Sequence, residues 1–557
     1  MQLTTILIQT IGGLGLFILG MRTMTEGLEM AAGRKIKKVL EAVSSNRIIG
    51  CLTGAGVTAV IQSSSATSVM LIGFVGAGIM TLQQAVGVTI GANIGTTITA
   101  QMIAFKLTEA ALPAIAVGVG LKFFSKKRSY RYVGEIILGF GLLFFGLTVM
   151  KNGLSPIKSD PEFIAFFTKF TTASIHGMLL CVSIGAVLTV MVQSSSATVG
   201  LTMALATQGL LDFPTAMALV LGENIGTTVT AQLATIGSDN IDAHRTARAH
   251  AVFNLAGVLI ILSIFPWFIR TVEAFSLFIG IGPVQALVQG EYVNAARHIA
   301  NGHTLFNLIN AVIFLIFLPT LVRFAVFLAP AKKKTAENYK IPQFDESFMD
   351  SSIGALVKVR GEIKKMAEFT NLNLARTRNS LAEQDKDYIK KRERVEEHID
   401  GLHKAITKYL TSIYQGEVNE YEAVEISELM RITNNIERIG DGIENISKII
   451  ERVYREEVVL TPEALEDLQT ISKEVESFLQ LVIKALYEDI PDFLSKAKAK
   501  ENRIDEIREA MRQNHLERLR QGNCSVDAGV LFITMISTYE KMGDNCFNMA
   551  RAIHRTR

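Results

Sequence analysis

The pattern of apolar and polar residues changes once along the chain, near Pro330. Before that point long apolar runs alternate with short polar segments. After it, apolar residues recur at i, i+3 and i+4, which is typical of amphipathic helices. The apolar runs cover roughly 5–24, 47–80, 82–105, 109–124, 132–150, 176–210, 213–236, 247–269, 274–289 and 299–328. Most reach the ~20 residues that cross a bilayer as a helix. The pattern predicts an all-α fold, with a polytopic membrane domain followed by a soluble helical bundle domain.

Charge divides the chain at the same place. Residues 1–330 contain 20 Lys and Arg against 13 Asp and Glu, whereas residues 331–557 contain 36 against 40. One charged residue in ten is too few for a soluble domain, and one in three suits an exposed bundle. This excludes a uniformly soluble enzyme, a disordered chain and a charge-driven nucleic-acid binder. We expect a membrane domain over 1–330, a linker over 331–345 and a soluble domain over 346–557.

Basic residues give the membrane domain an orientation. The clusters are Arg34/Lys35/Lys37/Lys38, Lys122/Lys126/Lys127/Arg128/Arg131, Arg245/Arg248 and Lys332/Lys333/Lys334. All four lie on one side if runs 47–80 and 176–210 are re-entrant hairpins and run 274–289 does not cross. Since basic loops stay in the cytoplasm, we predict a multi-pass protein of the cytoplasmic membrane. Its soluble domain is then cytoplasmic.

An internal duplication dominates the first half. Residues 51–101 align with 182–232 without a gap at an offset of 131, with 20 identities in 51 positions. Gln62-Ser63-Ser64-Ser65-Ala66-Thr67 matches Gln193-Ser194-Ser195-Ser196-Ala197-Thr198, and Gly91-Ala92-Asn93-Ile94-Gly95-Thr96-Thr97 matches Gly222-Glu223-Asn224-Ile225-Gly226-Thr227-Thr228. We predict two repeats, about 5–125 and 131–269, followed by terminal helices to 328.

The predicted topology turns the two repeats upside down relative to each other. The amphipathic stretch Leu28–Val43 of the first repeat lies inside, whereas its counterpart Leu154–Phe170 lies outside. Inverted repeats with broken helices are a transporter architecture whose binding site lies at the repeat interface, near the midplane. We therefore expect re-entrant hairpins and discontinuous helices in this domain.

Each Gln-Ser-Ser-Ser block offers donors suited to an oxyanion. Three successive hydroxyls donate hydrogen bonds, and a helix restarting after them would point its positive end at the same place. The predicted anion-site residues are Gln62, Ser63, Ser64, Ser65, Gln193, Ser194, Ser195 and Ser196. Packing through small residues is the alternative explanation of a serine-rich turn.

Charge balance requires cations beside such an anion. Hydrogen phosphate carries about −2, two helix ends supply about +0.5 each, and neither block contains Lys or Arg. Uncharged oxygens beside glycines expected to break the helix suit Na⁺. The predicted sodium ligands are Thr67, Asn93, Thr96, Thr97, Thr198, Glu223, Asn224, Thr227 and Thr228. Cation-coupled anion uptake follows as a hypothesis.

These paired motifs closely resemble the bacterial branch of the type II sodium-dependent phosphate cotransporter family, over about residues 1–330. The resemblance implies sodium-coupled uptake of inorganic phosphate by alternating access, with the Gln62–Ser65 and Gln193–Ser196 segments lining the substrate site. It implies inorganic phosphate, Na⁺ and the lipid bilayer as partners and no nucleic acid. No resident cofactor is expected, because Na⁺ travels with the substrate. Glu223 stands where the first repeat has Ala92, so the coupling stoichiometry stays open.

Two His-x-x-Phe-Asn segments follow the paired motifs, His250/Phe253/Asn254 and His303/Phe306/Asn307. We interpret both histidines as hydrogen-bonded packing residues, with a proton carrier as the alternative, and predict neither as a catalytic base.

The second half of the chain is duplicated more weakly. Glu437-Arg438-Ile439-Gly440-Asp441 corresponds to Glu540-Lys541-Met542-Gly543-Asp544 at an offset of 103. The pattern resembles the PhoU family of phosphate-signalling regulators, which implies two three-helix units. Glu437, Asp441, Glu540 and Asp544 are candidate metal ligands, with a solvated or salt-bridged face as the favoured alternative. The domain is expected to modulate transport or to report phosphate status. A dimerisation module, and with it a homodimer, is the alternative.

Three other functions fit parts of the pattern. A passive or regulated phosphate channel would use the same donors, and a membrane receptor would bind phosphate without accumulating it. A hydrolase using one serine as nucleophile would need a neighbouring base. Neither Gln-Ser-Ser-Ser-Ala-Thr block contains His, Lys or Asp, so we expect the protein not to be an enzyme.

Overall fold

A computed structural model describes most of the chain. The described residues are 2–41, 46–78, 80–105, 107–155, 172–236, 240–330, 341, 344, 352–383, 385–389, 392–416, 418, 420–488 and 490–556. They form two compact units, Met1–Lys332 and Lys333–Arg557. Linker residues 331–340, 342, 343 and 345, which include the Lys332–Lys334 cluster, lie outside the described residues, and so do residues 156–170 of the counterpart stretch. The side chains of Arg34, Lys35, Lys37 and Lys38 are not described either.

The described part of the first unit consists of helices and one short β-hairpin. The helices are α1 (Gln2–Glu41), α2 (Arg47–Ile61), α3 (Ser64–Ala77), α4 (Leu82–Ala104), α5 (Ala111–Phe124), α6 (Arg128–Leu154), α7 (Ile175–Val192), α8 (Ser195–Thr207), α9 (Phe213–Leu233), α10 (Ile241–Ser263), α11 (Phe265–Phe278), α12 (Ala295–Ile316) and α13 (Leu318–Leu328). Strands β1 (Leu287–Val288) and β2 (Glu291–Tyr292) pair antiparallel before α12. Among the described residues, α6, α7, α10, α12 and the Ile6–Ala32 part of α1 are long and apolar enough to cross a membrane.

Helices α1 and α6 begin the two repeats and pack antiparallel through glycine. A Cβ on Gly20 would lie 2.3 Å from the backbone nitrogen of Leu143, and a Cβ on Gly146 would lie 2.3 Å from that of Phe17. Side chains at these positions would push the helices apart, so glycine permits backbone-to-backbone packing. Because each helix meets the other through equivalent residues, the pair lies on a pseudo-twofold axis.

The predicted re-entrant hairpins are present in both repeats. Helix α2 runs parallel to α4, since Gly91 of α4 meets Cys51 of α2 and Gly95 meets Ala55 one turn later. Helix α7 runs parallel to α9 in the same way, with Gly222 against Val182 and Gly226 against Ala186. The short helices α3 and α8 return each chain to the end from which α2 and α7 started.

Contacts between distant segments place these starts at opposite ends of the unit. At the first end, Arg47 at the start of α2 donates to the carbonyls of Leu315 and Ile316 at the end of α12. Asn240, just before α10, donates to the carbonyls of Val75 and Gly76 at the end of α3.

At the second end, Glu291 of β2 accepts from Lys151 at 2.7 Å and from Gln208 at 3.0 Å. Lys151 lies in the last turn of α6, and Gln208 ends α8. The two hairpins therefore enter from opposite ends, which is the inverted arrangement that the sequence predicts.

A third duplicated element completes each half. Helices α10 and α12 each end at a break followed by proline, Pro266 and Pro319, which begin the short helices α11 and α13. The offset of 53 between these prolines also relates His250 to His303. The apolar runs 247–269 and 299–328 are therefore each divided between two helices.

The all-α fold class with inverted repeats is confirmed, but one local prediction is wrong. Gly91, Gly95, Gly222 and Gly226 do not break their helices, because α4 and α9 are continuous through them. A Cβ on Gly91 would lie 1.8 Å from the carbonyl oxygen of Cys51. These glycines serve close helix packing.

The second unit consists of amphipathic helices with buried apolar faces. They are α14 (Ser352–Glu383), the short α15 (Lys386–Ile389), α16 (Arg392–Gln415), α17 (Glu420–Arg455), α18 (Pro462–Ala485), α19 (Phe493–Arg520) and α20 (Val526–Thr556). The long helices pack as α14 with α16 and α17, and as α18 with α19 and α20. A Cβ on Gly440 would lie 3.0 Å from the side chain of Ile399, and a Cβ on Gly543 would lie 3.0 Å from that of Ile504. The two sets thus repeat the same packing.

We expect Gly20→Ala to destabilise the membrane unit, because its methyl group would overlap the backbone of α6. Forcing atoms into a packed interface costs about 1–3 kcal/mol. Gly15→Ala on the same helix is the matched control, since nothing lies within 4 Å of its ideal Cβ. Thermal unfolding of the purified protein in detergent measures both. Equal unfolding temperatures for the two variants would contradict the close packing of α1 on α6.

Candidate functional site

Both Gln-Ser-Ser-Ser blocks interrupt a helix at the same residue and in the same way. Gln62 ends α2 with φ 61°, and Gln193 ends α7 with φ 55°, so both adopt the left-handed conformation. This region disfavours non-glycine residues. Identical strained breaks at identical positions of two repeats indicate a functional constraint.

The serine after each glutamine caps the helix that follows. The Ser63 hydroxyl accepts from the backbone nitrogen of Ala66 at 3.1 Å, and the Ser194 hydroxyl accepts from that of Ala197 at 3.3 Å. The next two serines of each block therefore occupy the first turn of α3 or α8. The first backbone N–H groups of a helix have no partner within the helix, so they are available to an anion.

In each hairpin, a pair of threonines next to the break connects the two helices. The side-chain oxygens of Thr58 and Thr67 lie 3.0 Å apart, and those of Thr189 and Thr198 lie 3.0 Å apart. Thr67 also donates to the carbonyl of Ser63 at 3.0 Å. The predicted sodium ligands Thr67 and Thr198 thus join the two arms of their hairpins.

The two breaks differ in what surrounds them. Gln62 is 6% exposed and accepts from the Thr99 hydroxyl at 2.7 Å, whereas Gln193 is exposed. Thr230, the counterpart of Thr99, donates to the Thr227 carbonyl at 2.9 Å, and its hydroxyl oxygen lies 3.3 Å from that of Ser65 in the other repeat. Helix α9 of the second repeat therefore reaches the serine block of the first, and α8 packs on α4. The site elements of the two repeats interdigitate.

The second duplicated block lies in the middle of α4 and α9. The hydroxyls of Thr97 and Thr228 each donate at 2.8 Å to a carbonyl of their own helix, as do those of Thr96 at 3.1 Å and Thr227 at 2.8 Å. Because the hydroxyl protons face the helix, the oxygen lone pairs face its neighbours. Acceptors in this orientation suit a cation.

The duplicated asparagines lie in buried polar clusters. Asn93 donates to Asn254 at 2.7 Å, and its side-chain oxygen lies 3.2 Å from Nε2 of His250. The side-chain oxygen of Asn224 lies 3.4 Å from Nε2 of His303. We expected the histidines to be hydrogen-bonded packing residues, and the structure adds their contacts with Asn93 and Asn224, which sequence reasoning missed. The repeated His-x-x-Phe-Asn spacing was their only signal.

Glu223 is the most enclosed carboxylate of the described part of the membrane unit. It is 1% exposed, and one carboxylate oxygen accepts from Thr202 at 2.9 Å. Its other oxygen has no hydrogen-bond partner among the described residues. No Lys or Arg among the described residues of this unit is buried to a similar degree. Arg297, at the start of α12, is half-buried, and one of its guanidinium nitrogens is enclosed without a hydrogen-bond partner among the described residues.

The four candidate metal ligands of the second unit lie on two equivalent faces of α17 and α20. Burial, followed by repulsion from Asp441, raises the pKa of Glu437, and burial together with Asp400 and Glu444 raises that of Asp441. Burial and neighbouring carboxylates, Asp544 and Asp505 first, raise the pKa of Glu540 and Asp544. Within the described residues, no three His, Cys, Asp or Glu side chains are close enough to hold a metal ion. The side chains as placed do not assemble a metal site, and metal binding here stays a prediction.

The fold and the paired broken helices define a membrane protein of the inverted-repeat transporter class. Two segments of the chain, residues 16–152 and 160–286, match the family model described as Na+/Pi-cotransporter. Residues 363–450 and 468–553 match the model described as PhoU domain. Each model matches twice, in agreement with the two internal duplications.

Several known proteins are similar to this chain. YjbB of Escherichia coli K12, to which its name ascribes export of inorganic phosphate, is 23% identical over 98% of this chain and 97% of its own length. The uncharacterized protein YqeW of Bacillus subtilis is 30% identical over 57% of this chain and 96% of its own length. The rat sodium-dependent phosphate transport protein 2A is 28% identical over 17% of this chain and 15% of its own length. The chain belongs to the Na+/Pi-cotransporter family and carries a PhoU domain in its second half.

We expect acidification to stabilise α17 locally. Since the folded state raises the pKa values of Glu437 and Asp441, it binds more protons than the unfolded state between their ordinary and raised values, and stability rises as pH falls through that range. The effect is about 0.5 kcal/mol, because solvent screens these partly exposed groups. Hydrogen exchange of α17 amides, corrected for the intrinsic pH dependence of exchange, measures it.

The control for this measurement is the Glu437→Gln/Asp441→Asn double variant. It removes both titrating groups, so its opening free energy should change less with pH than that of the wild type. Parallel profiles for the two proteins would contradict the raised pKa values.

Proposed function

We propose that the protein is a symporter that couples uptake of inorganic phosphate to sodium by alternating access. The observation that carries the proposal is the pair of broken helices. Each has a glutamine in the left-handed conformation, a serine that caps one backbone N–H of the next helix, and further first-turn N–H groups without a partner in that helix. Two such starts offer hydroxyl and backbone donors to a tetrahedral oxyanion from opposite halves of the molecule. Membership of the Na+/Pi-cotransporter family supports phosphate as that anion.

Sodium coupling follows from charge balance at this site. Among the described residues of the membrane unit no Lys or Arg is fully buried, Arg297 being half-buried, whereas the carboxylate of Glu223 in the second repeat is buried. Two helix ends supply about +1 in total against about −2 on hydrogen phosphate. An unbalanced charge in this medium costs several kcal/mol, so cations that bind with phosphate supply the remainder. The outward-facing lone pairs on α4 and α9 are their ligands in this proposal.

The direction of transport depends on this coupling. A negative cell interior favours the exit of a dianion, because each elementary charge that crosses the membrane changes the free energy by about 2.3 kcal/mol per 100 mV of potential. A pathway without cations would therefore run outward, and one that carries two or more Na⁺ per phosphate would run inward. Export through such an uncoupled pathway is the second candidate, because YjbB matches nearly the whole chain and its name ascribes phosphate export to it.

The soluble half is proposed to lie in the cytoplasm and to regulate transport. Arg47, Arg245 and the Lys122–Arg131 cluster belong to the first end of the membrane unit, from which the chain continues after α13. Basic residues favour the cytoplasmic side. A PhoU domain fused to a phosphate transporter is suited to sensing phosphate status on that side.

Labelled phosphate uptake into proteoliposomes tests the coupling. With the membrane potential clamped, an inward Na⁺ gradient should drive phosphate accumulation above equilibrium, whereas K⁺ and H⁺ gradients of the same size should not. Phosphate flux that ignores all three gradients would overturn the symporter. If the phosphate flux also runs toward the positive side of an imposed membrane potential, as expected for an uncoupled anion, that result would establish the channel or export function.

Ser64→Ala and Ser195→Ala test the anion site. Each removes one hydroxyl donor to a charged ligand, so the half-saturating phosphate concentration should rise about tenfold or more. Ser183→Ala is the matched control, because its exposed hydroxyl donates at 2.8 Å to the Leu179 carbonyl of its own helix. Unchanged phosphate dependence in both site variants would reassign these serines to helix packing.

A further inference from the structure

The duplicated His-x-x-Phe-Asn segments form a third duplicated element, and each brings a histidine to the asparagine in the middle of α4 or α9. Helix α10 packs on α4 and supplies His250 to Asn93, whereas α12 packs on α9 and supplies His303 to Asn224. All four of these side chains are buried. The contact therefore occurs twice, between helices far apart in the sequence but equivalent under the pseudo-twofold axis.

We infer that His250 and His303 are positioning residues, each of which holds the side-chain oxygen of the duplicated asparagine in place for the cation. This inference rests on the proposed sodium-coupled function. An asparagine oxygen only accepts hydrogen bonds, so Nε2 of each histidine is the donor in this contact. The opposite ring nitrogen, Nδ1, has no partner among the described residues in either copy.

Burying a ring with an unsatisfied nitrogen is unfavourable unless another contact requires it. An apolar side chain would pack at lower cost, so packing alone does not explain histidine at both positions. A need to fix the orientation of the asparagine amide does explain the histidines, because an asparagine that binds a cation must present its side-chain oxygen and not its side-chain nitrogen. The second lone pair of that oxygen remains for the ion.

The two copies differ in the partner of the amide nitrogen. In the first half, Asn93 donates to Asn254 at 2.7 Å. In the second half, Asn224 donates to the carbonyl of Val220 at 2.9 Å, and the side-chain oxygen of Asn307 has no partner among the described residues. The histidine contact is common to both arrangements. Each histidine thus holds the side-chain oxygen of its asparagine, whereas the acceptor of the amide nitrogen differs between the two copies.

The test compares two polar replacements of one residue in the full-length protein. Glutamine places its amide nitrogen near the position of Nε2, whereas asparagine is shorter and reaches only the position of Nδ1. We expect His303→Asn to raise the half-saturating sodium concentration for phosphate uptake about tenfold, and His303→Gln to stay within about threefold of the wild type. The half-saturating phosphate concentration, measured at saturating sodium, should change less than about twofold in both.

His298→Asn is the matched control. His298 is buried on the same helix, but the ring contacts the Asn294 carbonyl of its own helix through Nδ1 at 3.0 Å. Its sodium dependence should match the wild type. An equal shift in His298→Asn, or equal behaviour of the two His303 variants, would overturn the positioning role.

Suppose that uptake by the wild type depends on sodium but His303→Asn has the same half-saturating sodium concentration. That result would overturn this inference and leave the proposed function standing. A wild type without sodium dependence would overturn the proposed function and this inference together. If His303→Asn does not insert into the membrane, His250→Asn and His250→Gln give the same comparison on α10. The sodium-dependent rise in thermal unfolding temperature of the purified proteins then serves as the readout.

Discussion

Inside a membrane, every backbone N–H and C=O group needs a partner, and this requirement governs the first half of the chain. A helix that breaks at membrane depth frees donors that only protein, water or a ligand can satisfy. Gln62 and Gln193 create such breaks, and Ser63 and Ser194 satisfy part of the freed donors as caps. The donors that remain define where an anion fits. Hairpins, glycine contacts and threonine pairs hold both breaks in place, with Gln62 buried in protein and Gln193 exposed.

Close helix packing is what holds the breaks in register. Gly20 and Gly146 let α1 and α6 meet backbone to backbone, while Gly91 and Gly222 do the same for α4 and α9 against their hairpins. In a bilayer there is little hydrophobic gain from bringing helices together, so van der Waals contact at short distance must supply the stability. The same residues that stabilise the unit therefore set the position of the serine blocks.

The sequence predicted the parts of the site that rest on strong repetition. Six identical residues around Gln62 and Gln193 identified both breaks, and the basic clusters predicted the re-entrant course of both hairpins. It failed at Gly91 and Gly95, because a glycine that admits a neighbouring backbone looks the same in sequence as one that ends a helix. It also missed the contact of His250 with Asn93, since residues on two helices reveal their proximity only in the folded chain.

Repetition in the sequence also hides the differences between the halves. Gln62 and Gln193 belong to identical hexapeptides, yet one is buried against Thr99 and the other is exposed. Asn93 reaches Asn254, while Asn224 turns to its own helix. Two closely similar segments thus have different surroundings and partners within one structure, and in the proposed transporter the two repeats would exchange these arrangements. Alternating access requires this of an inverted repeat, because exchanging the conformations of the halves turns a site open to one side into a site open to the other.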